Sequence, residues 1–120
     1  MTVQVYDPAK EVCEQFPHIK PKDAQNLKDV LDKLTRPELT IRLSGSALVT
    51  SDYKDIDIGI WPDNYPNLLE LAIASLGAKD VKHLYLGASW LRDRAQFSYN
   101  GTKFDVMHCC HEWYLGYRRS

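Results

Sequence analysis

Apolar residues recur at helical spacing in two stretches of the chain. In residues 22–34, Leu27, Val30, Leu31 and Leu34 fall on one face, while Lys22, Asp23, Lys28, Asp29, Asp32 and Lys33 decorate the rest. Thr35-Arg36-Pro37 ends this helix, because the residue before a proline disfavours the helical region. The second helix begins at Tyr65 or Asn67 and runs to Leu76. Leu68, Leu69, Leu71, Ala72, Ile73 and Leu76 give it a wide apolar face, and Gly77 is a natural stop. Other stretches read as strands. Residues 2–6 alternate and suit a short edge strand, residues 39–43 read as a buried strand, and residues 55–61 as another. Residues 94–99 and 102–109 flank Asn100-Gly101, the dipeptide most suited to a two-residue hairpin turn because both positions need positive φ. Weaker signals predict a short helix over 9–15 behind Asp7-Pro8, a helical turn over 47–50 and a connector over 78–83. A short strand near 83–86 and an aromatic tail over 111–120 complete the reading.

Helix, strand, turn, strand, helix and hairpin in that order predict an α+β (α/β-like) fold. Its core is a small mixed β-sheet with helices packed on it. With 120 residues, 44% of them hydrophobic and 26% charged, the chain suits one domain, 1–120, with its core over about 22–110. No run is long enough to span a bilayer, and the first ten residues lack the basic-then-apolar pattern of a signal peptide. A cytoplasmic protein without a membrane partner is the expectation. A formal net charge of −1 gives no global basic field. Cys13, Cys109 and Cys110 make no disulfide-scaffold spacing and read as reduced thiols.

The chemistry concentrates between Leu43 and Trp61. Gly45-Ser46 is a small-residue turn after the strand over 39–43, able to bring backbone N–H groups and a hydroxyl to a phosphate chain. Asp55 and Asp57 alternate with Ile56, Ile58 and Ile60, so the carboxylates share one strand face and the isoleucines take the other. Two adjacent carboxylates repel, and aligning them on an otherwise buried strand suits a divalent cation, Mg²⁺ or Mn²⁺. Asp105, mid-strand between apolar neighbours, is the candidate third acid.

Gly45-Ser46, Asp55-Ile56-Asp57 and Asp105 together resemble the signature of the DNA polymerase β-like nucleotidyltransferase superfamily, over about residues 22–110. The resemblance implies a polymerase β palm-like fold and Mg²⁺-dependent transfer of a nucleoside monophosphate from an NTP to a hydroxyl on nucleic acid such as tRNA, protein or a small molecule. By it, Asp55 and Asp57 bind both metal ions, Asp105 completes the metal site and acts as base, and Gly45 with Ser46 holds the triphosphate. Eight residues separate Ser46 from Asp55, slightly fewer than the family pattern. A chain this short implies help from dimerisation or a partner subunit. The alternative is a catalytically inactive binding or regulatory module on the same fold. A weaker third reading is a toxin–antitoxin or phage-type component that modifies a macromolecule.

Ser51, Tyr53 and Lys54 fall in the loop before the acids and are candidate nucleotide contacts, with ordinary loop residues as the other reading. Arg92, Arg94 and Lys103 read first as surface charge and second as triphosphate contacts. His108-Cys109-Cys110-His111 does not suit zinc, since neighbours on a strand point to opposite faces. Buried cysteines with partly exposed histidines are expected there, and Trp61, Trp90 and Trp113 are expected in the core or an interface. Gly59, inside a predicted strand, has no evident role in the pattern.

Overall fold

The computed structural model describes residues 3–84 and 91–110. The aromatic tail over 111–120, Trp90, Trp113, His111 and the second half of the strand expected near 83–86 lie outside them. The described chain is α+β: six strands in one mixed sheet with three helices. The strands are β1 (Gln4–Val5), β2 (Thr40–Ser44), β3 (Ile56–Trp61), β4 (Lys79–His83), β5 (Leu91–Tyr99) and β6 (Thr102–Cys109). The helices are α1 (Val12–Gln15), α2 (Pro21–Leu34) and α3 (Leu68–Leu76). The sheet order is β1-β2-β3-β6-β5-β4. Only β3 and β6 run parallel, and every other neighbouring pair is antiparallel.

Alternation along the strands divides the sheet into two faces. Ile41 and Leu43 of β2, Ile56, Ile58 and Ile60 of β3, Phe104 and Val106 of β6, and Ala95 and Phe97 of β5 are all buried. They form one cluster with Leu27, Val30, Leu31 and Leu34 of α2 and Leu68, Leu69, Ala72 and Ile73 of α3. Burying each Val, Leu, Ile or Phe among them contributes about 1.5–3 kcal/mol. The helices therefore lie on this face, and the opposite parity carries Asp57, Lys103, Asp105, Arg94, Gln96 and Ser98.

The expected two long helices and the hairpin stand within a few residues of their predicted ends. Asn100 and Gly101 both have positive φ, 49° and 85°, as the two-residue turn requires. The connector expected over 78–83 is instead β4. All five of its residues are exposed, and it pairs with β5 across an irregularity between Lys79 and Lys82, with Asp80 at φ 55°. An edge strand held only by its backbone ladder has no apolar alternation to betray it. Gly59 lies buried in β3 between Arg42 of β2 and Met107 of β6, on the parity of the acids. Among the described residues, no helix is long and apolar enough to cross a membrane.

Candidate functional site

The strand ladder brings the acids together. Asp57 on β3 is in register with Asp105 on β6, and Asp55 lies just ahead of β3. One carboxylate oxygen from each of Asp55, Asp57 and Asp105 lies within 4.8 Å of the others. Asp105 is buried and the other two are half-buried. Three carboxylates at this separation repel unless cations compensate them. Their oxygens are the donors that hard divalent cations take, and such ions coordinate at about 2.0–2.6 Å.

Gly45 joins the phosphate-turn candidate to the acids. It has φ 80°, a region that side-chain-bearing residues rarely adopt. A Cβ on Gly45 would stand 2.1 Å from Asp57 Oδ2, inside the contact limit of any two atoms. The turn is pressed against the carboxylate, and only glycine permits it. Ser46 opens a 3-10 turn, Ser46–Leu48, and its hydroxyl has no hydrogen-bond partner among the described residues.

Arg94 and Gln96 complete the cluster. Arg94 donates from Nε to Asp105 Oδ1 at 3.0 Å and from Nη2 to Asp105 Oδ2 at 2.7 Å, a two-point fork. Gln96 Nε2 adds a bond to Asp105 Oδ2 at 3.2 Å. The Arg94 pKa is pushed further up by its hydrogen bonds to Asp105, then by the charges of Asp105, Asp57 and Asp55 against an opposing effect of burial. The first expectation for Arg94, surface charge, is corrected: it is tied to the third acid. Its signal lay in the hairpin. A two-residue turn at Asn100-Gly101 pairs Gln96 with Asp105 and places Arg94 one diagonal away on the same face.

The remaining candidates separate. Lys54 is exposed and makes no ion pair among the described residues. The Ser51 hydroxyl donates to the His18 carbonyl at 2.7 Å, tying its loop to the segment before α2. Tyr53 is buried, and its hydroxyl donates to Asp23 Oδ2 at 2.6 Å while accepting from the Lys20 N–H at 2.9 Å. Thr102 Oγ1 donates to Asp23 Oδ1 at 2.6 Å and accepts from Asn26 Nδ2 at 2.8 Å. Asp23 is therefore an interior acid in a closed network, not a decoration of the helix surface. Burial, then the bond to Asp23, pushes the Tyr53 pKa up to about 12.

At the other end of β6 the expectation for the cysteines holds at Cys109, and the expectation of a partly exposed histidine is corrected at His108. His108 is buried, with Nε2 2.7 Å from the Pro62 carbonyl, and burial lowers its pKa. Cys109 is buried, while Cys110 is half-buried and donates to Asp63 Oδ2 at 3.2 Å. Among the described residues, the three acids are the one group of metal-ligating side chains gathered closely enough to hold an ion. Trp61 is half-buried and donates to the Cys110 carbonyl at 3.0 Å. Comparison of the chain with family models, curated proteins and solved structures finds no match.

Proposed function

We propose that the chain is a Mg²⁺-dependent nucleotidyltransferase, moving a nucleoside monophosphate from an NTP to a hydroxyl acceptor. The observation that carries this reading is the junction of Asp55, Asp57 and Asp105 with a turn whose Gly45 must be glycine because Asp57 touches it. Bound Mg²⁺ or Mn²⁺ would supply charge stabilisation at the attacking and leaving oxygens. Asp55, Asp57 and Asp105 would hold it. Gly45 lets the turn approach the phosphates, and the Ser46 hydroxyl is available to donate to one of them. Asp105, oriented by Arg94 and Gln96, accepts the proton of the attacking hydroxyl. That oxygen bonds to the α-phosphorus, the bond to the bridging oxygen breaks, and pyrophosphate leaves with the electron pair. A second reading, a non-catalytic binding module, is favoured by the Arg94 fork, which already occupies both oxygens of Asp105.

Incubation with Mg²⁺ or Mn²⁺ and each NTP, followed by a pyrophosphate assay and a search for labelled protein or acceptor, tests the two. The first reading expects turnover that Asp57→Asn lowers by about 100-fold or more, since even residues behind metal ligands cost 10–100-fold. Equal background for the wild type and Asp57→Asn across all four NTPs selects the binding module.

A further inference from the structure

The exposed lysines near the acids gather on one side of them, while Arg42 of β2 lies on the other. A cleft of about 400 Å³ is lined by Asp55, Asp80, Lys82, Gln96, Ser98 and Lys103, among others. A second hollow of about 270 Å³ is lined by Lys20, Lys22, Lys54 and Lys103. Lys103 lines both, so the two hollows meet at its side chain, next to Asp55 in the first and Lys54 in the second. Lys22, Lys54, Lys82 and Lys103 are exposed, and none of them pairs with a carboxylate among the described residues. Lys20 rests over the Tyr53 ring, 5.0 Å from its centroid. Two further acids border the hollows. Both oxygens of Asp23 already accept hydroxyl bonds, which leaves Asp80 as the exposed one. Like charges held together without partners raise a local field that attracts anions.

The direction in which the lysines lie matters. Gly45 follows β2 and touches Asp57 from that side of β3. The lysines run the other way, from the start of β3 across β6 and β5 to β4. Three strand spacings of about 4.8 Å make this roughly 14 Å, more than one triphosphate seated at the Gly-Ser turn can cover. In an in-line displacement the attacking oxygen enters opposite the leaving group. With pyrophosphate on the Gly45 side, the hydroxyl arrives from the lysine side. We infer that the acceptor is a single nucleic-acid strand whose phosphates lie along Lys54, Lys103 and Lys82, bringing its terminal hydroxyl to the acids. The catalytic meaning of this strand rests on the nucleotidyltransferase reading; its binding does not.

Fluorescence anisotropy with a short 5′-fluorescein-labelled single-stranded RNA, in EDTA, tests it. Neutralising three phosphates predicts a slope of log affinity against log salt of about −2. Lys54→Gln/Lys82→Gln/Lys103→Gln is expected to weaken binding by about 10-fold or more and to flatten that slope, while Lys10→Gln/Lys33→Gln changes neither. Circular dichroism checks the fold, and single Lys103→Gln, expected to bind about 3-fold more weakly, stands in if the triple variant misfolds. Asp57→Asn is expected to bind the strand at least as tightly as the wild type. RNA binding without pyrophosphate release would keep the strand site and remove only the transfer reading. The inference is overturned by absence of salt-dependent binding, by wild-type binding in the triple variant, or by equal displacement with polyglutamate. It is overturned too if inorganic tripolyphosphate displaces the strand at matched phosphate concentration, which would give the lysines to the nucleotide tail.

Discussion

Asp23 and Asp105 are buried to the same degree, 5% and 6% exposed, yet they sit in opposite surroundings. Asp23 takes neutral donors, the hydroxyls of Tyr53 and Thr102, and Thr102 is in turn held by Asn26. Asp105 takes a guanidinium and an amide and stands beside two further carboxylates. The first is a closed network in which each strong acceptor is matched, and its value is structural. The second gathers three carboxylates within 4.8 Å of one another, with Arg94 on one of them. Burial alone therefore does not distinguish the two acids; the carboxylates gathered around Asp105 do.

Replacing Asp23 attacks the closed network most directly. Asp23→Ala leaves the Tyr53 and Thr102 hydroxyls without their acceptor and should lower stability by about 3 kcal/mol, read by urea titration. Asp55→Asn, which relieves repulsion, should leave the midpoint unchanged or raise it in EDTA; an equal loss at both acids would erase the distinction. Gly45→Ala should cost about 2 kcal/mol through its positive φ and the clash with Asp57 Oδ2. A melting temperature equal to wild type would show that the turn does not press on the carboxylate.

Arg94→Gln removes the guanidinium from Asp105. It should cost about 1.5 kcal/mol in EDTA, since it removes charged hydrogen bonds to Asp105. Added Mg²⁺ should then raise the melting temperature more than in wild type, because Asp105 without its guanidinium partner holds the cation more tightly. A smaller rise would mean that Arg94 supports the cation instead of substituting for it. The smallest effect concerns pH. The folded state favours the neutral Tyr53 phenol, so its contribution is complete below pH 10 and is lost as pH rises from 10 through about 12. Tyr53→Phe should flatten that part of the stability profile, as followed by chemical denaturation.

Legibility along the chain followed how much each residue's side chain had to say. The isoleucines between Asp55 and Trp61 announced β3 because they alternate into the core. The Asn100-Gly101 turn announced the hairpin, and with it the register that sets Gln96 opposite Asp105. Arg94 was in reach of the same arithmetic, but its partner is diagonal and a charged residue on a strand has an ordinary surface explanation. Asp23 departs from its expected place for a related reason. It stands at helical spacing before Leu27, Val30 and Leu34, on the face that α2 buries, yet a carboxylate near a helix start also suits solvent. Its hydroxyl donors come from distant segments, Tyr53 and Thr102, which no local pattern connects to it. β4 was illegible because all its residues are exposed, so no apolar alternation marks it.

The two-residue turn at Asn100-Gly101 also decides where this chain can change length. One residue inserted between Tyr99 and Asp105 would turn β6 over against its neighbours. Asp105 would enter the isoleucine side, and Phe104 would face the acids. The loop between Ser46 and Asp55 carries no such penalty, because residues 49–55 lie outside helix and strand and can take up an extra residue before β3 begins. Variation in length is thus open on the approach to the first two acids and closed on the approach to the third.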